Sequence, residues 1–167
     1  AVVVNPAGGT SATNTVTFVA VGSPAILDAH GAQDGLTLNL ACQHYVFENL
    51  EVRNMTRYAL HLAGSSSPAT FCTFKNCKFD APASASSSVR AATLDYCNDC
   101  TFVNCLFAGG GYTAYSQQIN RCVFQGCEFD GKSLAPYVIA PFNSNDADNL
   151  WENCFFHDCG PSGRGLY

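Results

Sequence analysis

The chain has 167 residues, a length typical of one domain, and a net charge of −5 at pH 7. Its eight basic residues are scattered rather than clustered, so a nucleic-acid partner is not expected. No apolar run reaches the roughly 20 residues that a membrane-spanning helix needs, so no membrane association is expected either. Charged residues make up only 13% of the chain, which favours a fold rich in sheet and in loops of small residues.

The chain begins with a short apolar run, Val2–Val4, followed by a stretch of Gly, Ser, Thr and Asn. We expect residues 1–14 to form an N-terminal extension or cap. Residues 15–160 are expected to form the main domain, with residues 15–30 as its first turn. Residues 161–167 are expected to form a C-terminal tail that lies on a neighbouring subunit.

From residue 47 onward one short phrase recurs: an aromatic residue, any residue, Asn, Cys, any residue and an apolar residue. The steps between successive copies are 27, 28, 22 and 27 residues. A period in this range is typical of a solenoid, in which each repeat buries its apolar face against its neighbours. The copies begin at Phe47, Phe74, Phe102, Phe124 and Trp151.

The second copy shows what a repeat looks like locally. Cys72 and Phe74 alternate with polar residues, and so do Cys77 and Phe79, which predicts two strands with one buried face each. The alternation slips by one residue at Asn76, so the backbone must bend there to keep both apolar sets inside. Asn tolerates the left-handed conformation that such a bend needs.

A third strand is expected before each phrase. No stretch has the 3.6-residue apolar period of an amphipathic helix. The pattern therefore predicts an all-β fold, a right-handed parallel β-helix solenoid of about six turns with three short strands per turn. The candidate third strands are residues 36–40, 58–62, 91–95, 112–115 and 137–140.

Stacking of the repeats places equivalent residues about 4.8 Å apart in columns. One inner column is aromatic, a second is mostly cysteine, and the corner column is asparagine, whose side-chain amides can bond to one another or to the bend. The aromatic column is Phe47, Phe74, Phe102, Phe124 and Trp151. The second column is Leu50, Cys77, Cys105, Cys127 and Cys154, and the corner is Asn49, Asn76, Asn104 and Asn153.

Seven of the ten cysteines occupy inner columns: four are in the second column, and Cys72, Cys100 and Cys122 are in a third that begins at Tyr45. Since free Cys behaves as a small apolar residue, most of the ten are expected to be packed, reduced thiols. A disulfide between in-register cysteines stays open, because the Cα spacing suits one. Cys97 and Cys100 form a lone C-x2-C without a second pair or a histidine pair at zinc spacing. No metal site and no cofactor are therefore predicted. Reduced thiols favour maturation in a reducing compartment.

Three apolar residues, Val103, Leu106 and Phe155, occupy outward positions where other turns carry charged or polar residues. An outward apolar cluster suggests a contact surface, and we predict that these residues lie in an interface. The open ends of a solenoid also need covering, by a capping strand or by partner subunits.

No catalytic residue is assigned from the sequence. Glu128 and Asp130 lie on the same side of one strand, where a solvated face is favoured over a sugar-cleaving carboxylate pair. Asp146 and Asp148 have a spacing that can bind calcium, but the full calcium-loop phrase is absent, so an ordinary loop is favoured.

The four histidines are dispersed, and no Ser-His-Asp or Cys-His arrangement follows from their spacing. His61 is expected to point outward, because Leu60 and Leu62 flank it. Asp95 and Asp99 are expected in a turn.

These repeats resemble those of the right-handed parallel β-helix, or pectate-lyase-like, superfamily over residues 15–159. Its members include polysaccharide lyases and hydrolases, virus tailspikes, adhesins and particle components, and the fold does not choose among them. The paired-aspartate phrases of the superfamily's hydrolases are missing here. The character of the chain is closest to that of viral spike and particle proteins.

The favoured hypothesis is a non-enzymatic structural subunit of a virus (phage) particle, such as a capsid-decorating protein or short spike assembled in the host cytoplasm. The resemblance implies a homo-oligomer, with a trimer favoured, that binds other particle proteins.

Two alternatives remain: a carbohydrate-active enzyme (lyase or hydrolase), and a glycan-binding module that is secreted or on the cell surface. For the glycan-binding module, Tyr112, Tyr115 and Tyr137 are predicted to stack on sugar rings from strand edges or loops.

Overall fold

The computed structural model describes residues 2–4, 15–39, 42–63, 68–141, 146–161 and 164–166. Within these ranges β-strands are the only regular secondary structure, and no helix long and apolar enough to cross a membrane is found. In chain order the strands are β1 (Val2–Val4), β2 (Val16–Val19), β3 (Ala25–Asp28), β4 (Asp34–Leu38), β5 (Tyr45–Glu48), β6 (Leu50–Arg53), β7 (Tyr58–Ala63), β8 (Ala69–Thr70), β9 (Thr73–Lys75), β10 (Lys78–Asp80), β11 (Arg90–Asp95), β12 (Cys97–Asn98), β13 (Thr101–Val103), β14 (Leu106–Ala108), β15 (Tyr112–Gln117), β16 (Val123–Gln125), β17 (Glu128–Asp130), β18 (Tyr137–Pro141), β19 (Leu150–Glu152), β20 (Phe155–His157) and β21 (Arg164–Leu166).

Each strand pairs in parallel with the equivalent strand of the next winding, which is the topology of a β-solenoid. The strands of one long sheet run in the order β1-β4-β7-β11-β15-β18-β21. Two further sheets run β2-β5-β9-β13-β16-β19 and β3-β6-β10-β14-β17-β20, and β8 pairs with β12 in a short fourth sheet. Residues 2–4 and 164–166, expected in a cap and a tail, form the two edge strands of the long sheet.

The corner between the two six-stranded sheets is a single residue with a positive φ. Asn49, Asn76, Asn104 and Asn153 have φ angles of 59°, 51°, 51° and 52°, and Gly126 takes the same place with 61°. Asn76 Nδ2 donates to Asn49 Oδ1 at 3.4 Å, and Asn104 Nδ2 donates to Asn76 Oδ1 at 3.5 Å. The slip in alternation therefore corresponds to a left-handed bend, which returns the next strand's apolar residues to the interior.

Aromatic rings fill the interior behind this corner. Phe74 stacks on Phe102 at a centroid distance of 5.0 Å, and Phe102 on Phe124 at 4.7 Å, with interplanar angles of 5° and 3°. A second ladder joins Phe79 to Phe107 at 5.4 Å and continues through Phe129 and Phe156. The core thus contains two ladders of stacked rings along the solenoid axis, which meet edge-on at Phe74–Phe79 and Phe102–Phe107.

All ten cysteines are unbridged, and eight are buried. The inner ones lie against strand ends, where their thiols meet backbone carbonyls. Cys105 Sγ is 3.4 Å from the carbonyl oxygen of Phe74, in the winding before, and 3.5 Å from that of Val103. A thiol at this position combines a small apolar volume with a weak donor for a carbonyl that faces the core.

Candidate functional site

The outer surface of the long sheet has a repeated irregularity that brings large side chains together. In β7 and β15, two consecutive residues are buried and the residues on either side of them point outward. In β11, Arg90 and Thr93 take the same two register positions, although Thr93 is itself buried. In β7 the buried pair is Ala59 and Leu60, so Tyr58 and His61 both face out; in β15 the same spacing exposes Tyr112 and Tyr115. The outward residues are therefore three apart instead of two.

Five outward side chains form what we call the tyrosine–arginine face: Tyr58, Arg90, Tyr112, Tyr115 and Tyr137. In the strand register, Tyr58 pairs with Arg90, Arg90 with Tyr112, and Tyr112 with Tyr137. These four residues thus form a column that crosses four successive strands. Tyr115 lies in the neighbouring outward column.

Arg90 is at the centre of this face. Its Cζ lies 3.8 Å from the ring centroid of Tyr115, and 5.4 Å and 5.6 Å from those of Tyr58 and Tyr112. Its Nε donates to Ser87 O at 3.0 Å and its Nη1 to Thr93 Oγ1 at 3.5 Å. The guanidinium is held by cation–π contacts and neutral acceptors. Partial burial raises the pKa of Tyr115, and Arg90 opposes that rise.

Histidine 61 lies at the edge of this face, between two carboxylates. Its Nδ1 is 3.7 Å from Asp34 Oδ2 and its Nε2 is 3.8 Å from Asp95 Oδ2, distances too long for hydrogen bonds. The Tyr58 ring meets the imidazole edge-on at 4.8 Å. Asp34 is also held by Arg57, whose Nε and Nη2 donate to its two oxygens at 2.9 and 2.7 Å.

Two polar atoms of this group lack a hydrogen-bond partner among the described residues. They are His61 Nδ1 and Asp95 Oδ1, and both are shielded from solvent. Unsatisfied buried polar atoms are rare and cost free energy unless a ligand or solvent satisfies them. The arrangement is therefore suited to binding a polar ligand.

The sequence predicted part of this site, since Tyr112, Tyr115 and Tyr137 were the residues expected to stack on sugar rings. They were expected on strand edges or loops, but they lie in strands β15 and β18. His61 points outward between buried Leu60 and Leu62, as predicted.

The interpretation of Asp95 as a turn residue is wrong, because it is the last residue of β11 and faces His61. Arg90 and Tyr58 were missed, since each begins a strand after a polar stretch. The signal that could have found them is the spacing of Tyr58 and His61, which Tyr112 and Tyr115 repeat.

The other candidate residues lie elsewhere. Asp146 accepts hydrogen bonds from Ser116 Oγ and from Ile119 N at 2.8 and 2.9 Å, which is an ordinary structural role for a loop residue. Asp99 has a φ of 54° at a bend and accepts two hydrogen bonds of 2.7 Å from Arg121.

The three residues predicted to form an interface do not form one patch. Val103 is in β13, and Leu106 and Phe155 are in another sheet, where Glu128 lies between them in the register. Val103 and Leu106 are half-buried, and Phe155 is 62% exposed.

A family model described as a right-handed β-helix region matches residues 34–167 of the chain. No curated protein matches it. Among solved structures, the chain is similar to the A-module of the mannuronan C-5 epimerase AlgE4 from Azotobacter vinelandii, with a TM-score of 0.54 and 10% sequence identity. The similarity covers 89% of this chain and 46% of that structure, so the chain spans about half of the structure it resembles.

Proposed function

Because the chain belongs to the family of right-handed β-helix proteins, as its sequence predicted, and carries an aromatic and basic face, we propose that it binds an acidic polysaccharide along the outside of its long sheet. The observation that carries the proposal is Arg90 held over the ring of Tyr115 within a column of tyrosines.

The tyrosines provide the surface for the sugar rings. Tyr112 and Tyr137 have centroids 5.4 Å apart, Tyr112 and Tyr115 have centroids 5.9 Å apart, and all three side chains are partly exposed. The C–H groups on one face of a pyranose pack on such rings, while the phenol hydroxyls reach its hydroxyl groups. Because the column crosses successive strands, an extended chain of several sugars is favoured over a single sugar.

The arginine provides the preference for an acidic sugar. Arg57 is already engaged by both oxygens of Asp34, whereas Arg90 donates to one backbone carbonyl and one hydroxyl. A guanidinium with no carboxylate partner among the described residues is suited to bind a sugar carboxylate through two parallel hydrogen bonds, as Arg prefers. The fold resemblance to an epimerase named for mannuronan, a polymer of acidic sugars, supports the same choice.

Isothermal titration calorimetry tests the proposal. The protein is titrated with an oligouronate and, separately, with a neutral oligosaccharide of equal length. We expect the oligouronate to bind more tightly, and Arg90→Ala to weaken its binding about tenfold or more, because the carboxylate loses its partner. Tyr112→Ala is expected to weaken both ligands.

Arg121→Ala is the matched control, since Arg121 pairs with Asp99 at a bend outside the tyrosine–arginine face. Equal binding by the wild type and Arg90→Ala would contradict the preference for acidic sugars. If neither ligand bound at millimolar concentration, the proposed function itself would be wrong.

A second candidate function is a structural subunit of a virus particle, for which a trimer remains the expected assembly. The observation that favours it is an exposed apolar side chain at each end of one outward column: Phe155 is 62% exposed and Ile26 is 53% exposed. At the ends of a solenoid such side chains can pack against a neighbouring subunit that covers the open end. Sedimentation at micromolar concentration tests it: a trimer that Phe155→Ser dissociates supports this function, and a stable monomer contradicts it.

A further inference from the structure

A second cluster of ionisable side chains lies on a different sheet. Asp130 ends β17, His157 ends β20, and the two residues are direct partners in the parallel register. Asp158 follows His157. One ligand atom from each of these three residues lies within 4.8 Å of the other two, so the three can reach a common point.

Glutamate 128 lies beside the cluster, on the other side of the imidazole. His157 Nε2 is 2.9 Å from Glu128 Oε1, and His157 Nδ1 is 3.0 Å from Asp158 Oδ2. The Phe155 ring stacks on the imidazole at 4.8 Å and restricts its orientation. Each imidazole nitrogen therefore points at a carboxylate oxygen, one from the preceding winding and one from the next residue in the chain.

Elsewhere in the same outward column, carboxylates are matched by permanent cations. Asp28 lies 3.5 Å from Arg53 Nε, and Asp80 is bonded by Lys78 and Lys132.

At the cluster, Glu128 and Asp158 both pair with the imidazole of His157. Asp130 has no ion-pair partner among the described residues. Lys132 follows Asp130 by two residues, but its amine bonds Asp80 and the Ala81 carbonyl instead. Three carboxylates thus share one imidazole, a shortage of positive charge that a bound cation would correct.

We propose that Asp130, His157 and Asp158 bind a divalent transition-metal ion of the zinc class, with Glu128 holding the imidazole through its other nitrogen. An imidazole nitrogen with carboxylate oxygens is a donor set that suits zinc, whereas calcium and magnesium prefer oxygen alone. The cluster is open to an entering ion, since the side chains of Asp158 and Glu128 are 60% and 49% exposed. The ion would tie the winding of β20 to that of β17.

The test is equilibrium dialysis of chelator-treated protein against zinc chloride. We expect one zinc ion per chain at micromolar free zinc. His157→Ala and Asp130→Asn are each expected to reduce the affinity about tenfold or more, because each removes a direct ligand. His30→Ala is the matched control, since His30 is an exposed histidine in a bend outside the cluster and is expected to leave binding unchanged.

The ten thiols are competing ligands, so cobalt(II) is used as a second probe. Cobalt at the proposed site should show only the weak visible bands of nitrogen and oxygen ligands. Strong near-ultraviolet thiolate bands, retention of zinc by His157→Ala, or saturation only at millimolar zinc would each overturn the proposal. The unfolding of each variant is measured in chelator and compared with that of the wild type. A variant that unfolds as the wild type does has kept its fold, so its loss of zinc binding reports the loss of a ligand.

Discussion

Replacing Phe102 by alanine is expected to lower the free energy of unfolding by about 3–5 kcal/mol. The ring is completely buried and lies between Phe74 and Phe124, at 5.0 and 4.7 Å. Its removal leaves a gap in the middle of the aromatic stack, and strands on either side cannot close it without breaking their pairing. Urea unfolding followed by circular dichroism measures the loss.

The matched control is Phe18→Ala, at the first position of the same column. Phe18 is 48% exposed and stacks on Phe47 at 5.0 Å on one side. We expect that substitution to cost about 1 kcal/mol, since less apolar surface returns to water. Equal losses for the two variants would mean that the stack does not stabilise the solenoid as described.

Replacing Gly111 by alanine is expected to cost about 2–3 kcal/mol, because the added carbon overlaps backbone atoms rather than a movable side chain. A Cβ built at Gly111 collides with the backbone of Ser86 and approaches Ser87 N at 2.8 Å. The loop that must move also supplies Ser87 O, the acceptor for Arg90 Nε. Gly111→Ala should therefore lower both the stability and the affinity for an oligouronate.

Gly31→Ala separates the steric effect from the backbone effect. Gly31 has a φ of 81° but no atom within 4 Å of an added Cβ, so alanine there costs only the left-handed conformation, about 1–2 kcal/mol. It should leave ligand binding unchanged. If Gly111→Ala were the milder of the two and bound the oligouronate normally, the loop would not be packed as described.

The fold was predictable because one repeated phrase encodes both the strand alternation and its interruption. The slip at Asn76 predicted a bend, and Asn76 has the left-handed φ of 51° that the bend required. Phe74 and Phe102 take the same position in successive repeats, which predicted that one ring lies above the other. The two rings do stack. These features depend on local period and on repetition, which a sequence displays directly.

The candidate site was less predictable because it depends on a break in that period. Strict alternation gives no reason for Arg90 and Thr93 to share a face, since two buried alanines lie between them. The approach of Asp95 to His61 joins residues 34 positions apart across windings of unequal length. The meeting of Asp130 with Asp158 around His157 likewise depends on the register between windings.

Amide chemical-shift mapping with an oligouronate shows whether the ligand lies on the tyrosine–arginine face, because it reports the binding position without altering the protein. Shifts are expected to concentrate in β7, β11, β15 and β18, with the largest changes at Arg90 and Tyr115. Shifts confined to β10, β14 and β17, or to the ends of the solenoid, would contradict this expectation.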